Sequence, residues 1–140
     1  MSQLNKEIVR RVYVDVQDTG NLAAIDELFA PDVLVHDPFM GDVQGVAAYR
    51  QLTMLFQNAF PGHKTTLHTF VAEGDFVAIY HIHHATHTGE FMGLPPTGKT
   101  VHVPGLELYR LRDGKIVEFW RHDDDAGLMR QLGMLPQAAQ

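Results

Sequence analysis

The sequence predicts an α+β fold in which N-terminal helices cover one face of a curved, antiparallel or mixed sheet. Apolar residues recur at three- and four-residue steps up to residue 60, and from residue 63 onward the period becomes two. Turn-forming triplets at 73–75 (EGD) and 112–114 (RDG) then join successive strands as hairpins. Because helices cover only part of such a sheet, we expect a concave pocket between the two layers.

Each element has its own signal in the sequence. The first helix is amphipathic, the second stops before Pro31, and the third is ended by Pro61-Gly62. A short apolar run after Pro31 is an edge strand or an extended loop. The predicted helices are residues 4–16, 22–29, 46–60 and 126–133, and the predicted strands are residues 32–36, 63–72, 76–88, 99–111 and 115–122.

Composition narrows the range of functions. With 11 basic and 17 acidic residues the net charge is −6, and no Lys/Arg cluster occurs, so we expect no nucleic-acid partner. Cysteine is absent, which excludes thiol chemistry and disulfides. No apolar run reaches the length of a signal peptide core or a membrane span. These features predict a single cytoplasmic domain over residues 1–140 that makes no contact with membranes.

The segment HIHHATH, residues 81–87, concentrates four histidines in one predicted strand. Side chains alternate between the faces of a strand, so His81, His83 and His87 share one face and His84 lies on the other. Three readings are open: hydrogen-bonded side chains of a polar pocket floor, metal ligands, or a general base. Parity alone does not say which face is inside.

Three motifs resemble the SnoaL-like polyketide cyclases of the nuclear transport factor 2-like superfamily. They are GEFMGLPPTGK at 89–99, DGKIVEFW at 113–120 and GLMRQLG at 127–133. The resemblance implies a cone-shaped fold with a deep apolar cavity. It also implies intramolecular aldol condensation of a polyketide-like, mostly apolar carbonyl substrate, without metal or organic cofactor.

The resemblance also implies which residues line the cavity. Relatives carry apolar or aromatic residues at the position of His81 and arginine at that of His84, which places the odd-numbered face of the strand inside. The odd-numbered residues of the later strands that would line the same cavity include Glu107, Tyr109, Phe119 and Arg121. From this set we expect substrate contacts from His81, His87, Tyr109 and Phe119.

The proton-transfer group departs from the family pattern. Arg121 stands where the characterised cyclases have an acid/base aspartate, and arginine stays protonated, so we expect it to hold an oxyanion. The predicted base is His83 or His36, with Glu107 as its orienting carboxylate, and the spacing does not decide between the two histidines. Many relatives also carry a histidine at the position of Phe119.

Two further predictions concern the carboxylates. Asp124 matches a recurring acidic position of the family and is the one aspartate of 123–125 expected in the pocket, since aspartates before a helix otherwise cap it. Although the resemblance implies no metal, the residue types leave open ligation by two histidines and one carboxylate, from His81, His83 and Glu107.

The expected function is therefore cofactor-independent, cyclase-type proton abstraction on a small hydrophobic carbonyl compound. The alternatives on the same scaffold are another lyase, hydratase or isomerase with a histidine base, or a non-catalytic binding or dimerisation module. A homodimer is expected through the outer sheet face, where Tyr80, Ile82 and Trp120 offer apolar surface.

Overall fold

A computed structural model describes residues 2–136 of the chain. Within this range the helices are α1 (Ser2–Arg11), α2 (Ala24–Leu28), α3 (Val46–Ala59) and α4 (Asp125–Leu132), and α1 continues into a π-helical segment, Val12–Asp18. The strands are β1 (Phe29–Asp37), β2 (Gly41–Gln44), β3 (Lys64–Glu73), β4 (Phe76–Thr86), β5 (Thr100–Arg112) and β6 (Lys115–Asp123). None of these helices is both long enough and apolar enough to cross a membrane.

The six strands form one mixed sheet in the order β2-β1-β6-β5-β4-β3. Strands β3 to β6 are an antiparallel meander, and β1 joins the edge of β6 in parallel. The turn between β5 and β6 has positive φ at both Asp113 (53°) and Gly114 (77°), as a type I′ hairpin requires. The predicted α+β class, with a mixed sheet covered by N-terminal helices, is confirmed.

Several element ends lie one to three residues from the sequence prediction, and three differences matter most. Strand β1 begins at Phe29, so the second helix is shorter than expected. Strand β2 was not predicted, because its four residues contain a single large apolar side chain, Val43, and show no readable period. Strand β6 continues to Asp123, one residue further than expected, and this residue enters the candidate site.

The helices pack on the concave face of the sheet and form the core there. The first helical layer contributes Val9, Val12, Tyr13 and Val16, all fully buried against the sheet. A second apolar cluster joins the end of α3, the start of β5 and helix α4. On β4 the odd-numbered Val77, Ile79 and His81 are fully buried, so the predicted inward face of this strand is confirmed.

Candidate active site

A cavity of about 90 Å³ lies between helices α3 and α4 and the concave face of strands β4 to β6. Much of its wall is apolar, contributed by Leu52, Phe56, Phe60, Ala85, Val101, Val103, Phe119 and Leu128. Polar side chains also line it, among them Tyr49, His63, His83, Glu107, Arg121, Asp123 and Asp125. An apolar pocket with a few polar groups is the usual form of a small-molecule site.

The tautomer of His83 is fixed by a hydrogen-bond relay. The hydroxyl of Thr65, opposite His83 on the neighbouring strand, donates to Asp18 Oδ1 at 2.8 Å and lies 3.0 Å from His83 Nδ1. Asp18 also accepts the backbone N–H of Thr65, at 3.1 Å. Because the single hydroxyl proton goes to Asp18, His83 Nδ1 must be the donor to Thr65 Oγ1. Neutral His83 therefore keeps a free lone pair on Nε2.

His83 is uncharged in this environment. Burial, followed by the positive charge of His81, lowers the pKa of His83 to about 3. The two imidazole rings are 4.5 Å apart between centroids. The His83 side chain forms part of the cavity wall. An imidazole with so low a pKa is a weak base, so His83 can accept a proton only where a nearby negative charge such as that of Asp123 compensates the charge it gains.

His81 lies behind the cavity wall, fully buried between two carboxylates. Its Nε2 is 3.2 Å from Glu107 Oε2 and 3.2 Å from Asp123 Oδ1, although neither contact is aligned as a hydrogen bond. Burial lowers the pKa of His81, but Glu107 and Asp123 outweigh burial and raise that pKa to about 10. At neutral pH His81 is therefore an imidazolium, and we place it as a positioning group rather than a substrate contact.

Glu107 is held by two tyrosines on the side away from His81. Tyr13 donates a short hydrogen bond to Glu107 Oε1, and the Tyr109 hydroxyl lies 3.1 Å from the same atom. Burial raises the pKa of Glu107, but the positive charge and close contact of His81, together with Asp123 and the hydrogen bond from Tyr13, lower that pKa below its usual range. The orienting carboxylate expected for His83 is thus bound to His81 instead.

Asp123 is a site residue that the sequence analysis missed. It continues the inward series Phe119 and Arg121 on β6, so strand parity would have found it had the strand been extended by one residue. Burial and the negative charge of Glu107 raise the pKa of Asp123. It reaches His81 across Gly105, where an added Cβ would lie only 1.9 Å from Asp123 Oδ1. Glycine at 105 therefore allows the carboxylate to enter the cluster.

Arg121 is largely occupied by carboxylates. Its Nε donates to Asp37 Oδ2, and its Nη atoms donate to Asp123 Oδ2 at 3.1 Å and to Asp125 at 2.9 and 2.7 Å. Four of the five N–H groups of the guanidinium are thereby used. Arg121 lines the cavity, but most of its donors orient Asp37, Asp123 and Asp125. Only one N–H group remains for the predicted contact with an oxyanion.

The hydroxyl of Tyr49 is a second cavity group that the sequence analysis missed. Tyr49 lies on the apolar stripe of α3 and resembles a core residue in the sequence. Its hydroxyl is buried near Gln17 and Thr53, without a partner in hydrogen-bond geometry among residues 2–136. Burial raises the pKa of Tyr49, so the group stays a neutral donor beside the cavity.

Two predicted catalytic residues lie outside the cavity. The Asp124 carboxylate accepts the Gly127 backbone N–H at 2.8 Å and is the N-cap of α4, so its expected place in the pocket belongs to Asp123. His36 lies on the opposite face of the sheet. There it contacts Asp42 and Glu118 at 2.9 and 2.8 Å and stacks on Trp120.

The predicted substrate contacts also separate into two groups. Phe119 lines the cavity, whereas Tyr109 is stacked behind it with ring centroids 4.6 Å apart. His87 is fully buried, and its Nδ1 accepts the Thr97 backbone N–H at 3.2 Å. His87 therefore stabilises the loop before β5 through this hydrogen bond, and it does not line the cavity.

One group of four side chains has the composition of a metal-binding site. His81, His83, Glu107 and Asp123 each offer one nitrogen or oxygen atom, and these atoms all lie within 4.8 Å of one another. The arrangement as a whole combines an apolar cavity, a neutral imidazole with a free nitrogen, an unpartnered phenol and a buried ion-pair cluster. Such a set can remove and return a proton on a bound carbonyl compound.

Comparison with known proteins gives a consistent result. The family model for the SnoaL-like polyketide cyclase matches residues 7–132. Nogalonic acid methyl ester cyclase of Streptomyces nogalater is 29% identical over 122 residues, covering 86% of this chain and 91% of that protein. Two solved structures are also similar. IdmH of Streptomyces antibioticus, a proposed polyketide cyclase, is 31% identical with a TM-score of 0.81, covering 92% of this chain and 98% of its own. AclR of Streptomyces galilaeus, a proposed hydroxylase, is 30% identical with a TM-score of 0.88, covering 100% of this chain and 87% of its own.

Proposed function

Since this chain belongs to the SnoaL-like polyketide cyclase family, we propose that it catalyses a cyclase-type reaction on a small, mostly apolar carbonyl compound. The reaction begins with removal of a proton alpha to a carbonyl group by a side chain of the cavity. The family binds small-molecule substrates, and the apolar wall built from residues such as Phe56, Phe60 and Val103 suits a substrate of this kind.

His83 is the proton acceptor in this proposal. The observation that carries it is the Asp18–Thr65–His83 relay, which leaves Nε2 of a cavity-lining imidazole without a proton. The negative charge of Asp123, in the same cluster, stabilises the positive charge that His83 gains when it takes the proton. The apolar wall of the cavity strengthens the attraction between Asp123 and protonated His83, because opposite charges attract more strongly where water is excluded.

The proton and electron balance of the step is simple. His83 Nε2 takes the alpha proton, and the electron pair of the C–H bond forms an enolate whose oxygen accepts a hydrogen bond from Tyr49. The enolate carbon then attacks a second carbonyl of the same molecule, forming the ring C–C bond. The resulting alkoxide takes the proton back from His83, so no external acid, base or oxidant is consumed.

A different reaction on the same base is the second candidate. Arg121 stands where the resemblance implies an acid/base aspartate, and AclR, a similar structure, is a proposed hydroxylase rather than a cyclase. A lyase, hydratase or isomerase reaction would use the same His83 and the same donor, Tyr49. The products distinguish the candidates, since only the cyclase reaction forms a new ring.

We also propose a homodimer that pairs the outer faces of two sheets. Leu106, an outward residue of β5, is 60% exposed. Tyr80, Ile82 and Trp120 lie half-buried on the same face. A cytoplasmic location and a single domain stay predictions from the sequence.

The test of His83 uses solvent deuterium exchange. A panel of β-keto esters, from monocyclic to tricyclic, is incubated in D₂O with the protein, and loss of the alpha proton is followed by ¹H NMR. We expect His83→Gln to slow the catalysed exchange about 10²–10⁴-fold, the usual contribution of a general base.

His84→Gln is the matched control, because it changes the neighbouring histidine on the opposite face of the same strand. We expect it to exchange at the wild-type rate. Full exchange activity in a folded His83→Gln protein would contradict the assignment of the base. Exchange without ring formation on any panel member that carries a second keto group would favour the second candidate.

A further inference from the structure

We infer that His81, His83, Glu107 and Asp123 form a binding site for a divalent transition-metal ion. Two imidazole nitrogens and two carboxylate oxygens are a mixed ligand set that suits ions of the Mn²⁺ to Zn²⁺ series. The inference goes beyond the proposed function, because it concerns an ion that the proposed reaction does not use.

In three of the four side chains, one of the two polar atoms accepts a hydrogen bond from, or donates one to, a residue outside the cluster. The second polar atom is then available to bind an ion. Thr65 holds His83 at Nδ1, so the free atom is Nε2. Tyr13 and Tyr109 hold Glu107 at Oε1, so the free atom is Oε2. Arg121 holds Asp123 at Oδ2, so the free atom is Oδ1. Metal ligands in proteins are commonly oriented in this way by outer hydrogen bonds.

The spacing of two pairs of these atoms also fits a common ion. His81 Nε2 lies 3.2 Å from both Glu107 Oε2 and Asp123 Oδ1. Ligands at about 2.0–2.1 Å from a tetrahedral ion are separated by roughly 3.3 Å. Neither contact is aligned as a hydrogen bond, and both His81 Nε2 and Asp123 Oδ1 are buried without such a partner among residues 2–136. These misaligned contacts leave a point between the atoms that an ion could occupy, and an ion bound there would displace the Nε2 proton of the His81 imidazolium.

Metal binding and the proposed proton transfer exclude each other. Both use the lone pair on His83 Nε2, so an ion at the cluster would remove the base from the cavity. If the proposed function holds, Zn²⁺ at saturation inhibits deuterium exchange. The site itself is tested by binding alone, so its failure is separate from failure of the reaction.

The experiment is calorimetric titration of the chelator-treated protein with ZnCl₂ and, separately, MnCl₂. All variants also carry His84→Gln and His102→Gln. The Nδ1 atoms of these two outer-face histidines lie 2.8 Å apart and could bind a second metal ion. We expect one ion per chain. Loss of a ligand in His83→Gln or Asp123→Asn should weaken binding at least 100-fold. Thr65→Val, which removes only the outer hydrogen bond, should weaken it about 10–100-fold.

Circular dichroism in the near ultraviolet checks that each variant is folded, and Glu107→Gln replaces any ligand variant that is not. The inference is overturned if the background protein binds neither ion up to 1 mM. It is equally overturned if folded His83→Gln and Asp123→Asn bind within threefold of the background protein.

Discussion

Gly105→Ala tests whether Asp123 is held against His81 as the structure shows. Gly105 lies on β5 directly between its partners His81 on β4 and Asp123 on β6. An added Cβ would be 1.9 Å from Asp123 Oδ1, whereas ordinary contact begins at 3.4 Å, so the atoms must separate by about 1.5 Å. Overpacking of this kind costs about 1–3 kcal/mol of unfolding free energy. For a chain of 140 residues this lowers Tm by roughly 3–10 °C.

The assay is urea unfolding of four proteins: wild type, Gly105→Ala, Asp123→Ala and the double variant. If the clash is with the Asp123 carboxylate, Gly105→Ala should cost at least about 1 kcal/mol less when Asp123 is absent, because neighbouring residues couple in such cycles. Equal costs in the two backgrounds, or a Gly105→Ala protein as stable as wild type, would refute the placement of Asp123.

Three further predictions follow from the described contacts. Tyr13→Phe removes a buried donor to ionised Glu107 and should lower the free energy of unfolding by about 1.5–3 kcal/mol in urea titrations. Hydrogen bonds to Glu118 and Asp42 raise the pKa of His36, so its stabilising effect is present below pH 6.5 and is lost as pH rises through the folded-state pKa. Wild type should therefore exceed His36→Gln in stability at pH 5.5 and match it at pH 9. Tyr49→Phe should slow catalysed exchange about 10²-fold or more with little change in KM, as loss of an oxyanion donor does.

Each of these predictions has an outcome that would count against it. Tyr80→Phe, on the outer face, is the control for Tyr13→Phe, and equal stability losses in the two variants would show that Glu107 does not depend on the buried hydroxyl. A His36→Gln difference that grows above pH 7 would have the wrong sign. A Tyr49→Phe change confined to KM would place this residue in substrate binding alone.

Periodicity was sufficient to predict the fold class, because the change from helical to alternating periods located the meander. Parity grouped His81 with the other odd-numbered residues of its strand, and only the family resemblance placed that face, with Glu107, inside, as the structure shows. Asp123 was missed because three successive aspartates before a helix are all plausible caps, and the end of a strand is poorly defined by periodicity. Tyr13 and Tyr49 look like core residues in the sequence, since only the tertiary structure shows that the Tyr13 hydroxyl reaches Glu107 and that Tyr49 lines the cavity.

The hydrogen-bond relay from Asp18 through Thr65 to His83 could not be predicted from residue periodicity, because it depends on the register between β3 and β4. Strand β3 pairs with β4 in one register from Glu73 to Thr69 and shifts by one residue before Leu67. Without that bulge, Thr65 would lie opposite His84 on the outer face, and the hydroxyl would not reach His83. The ion pair of Arg121 with Asp37 likewise depends on the parallel pairing of β1 with β6, which connects distant parts of the chain.

The tautomer of His83 is the most direct test of the account, since both the proton transfer and the metal site require a free Nε2. Long-range ¹H–¹⁵N correlation spectra of ¹⁵N-histidine-labelled, chelator-treated protein measure it, with His83→Gln identifying the signal. The account predicts a neutral ring at pH 7 with the proton on Nδ1 and none on Nε2. A proton on Nε2, or a charged His83 ring at that pH, would contradict it.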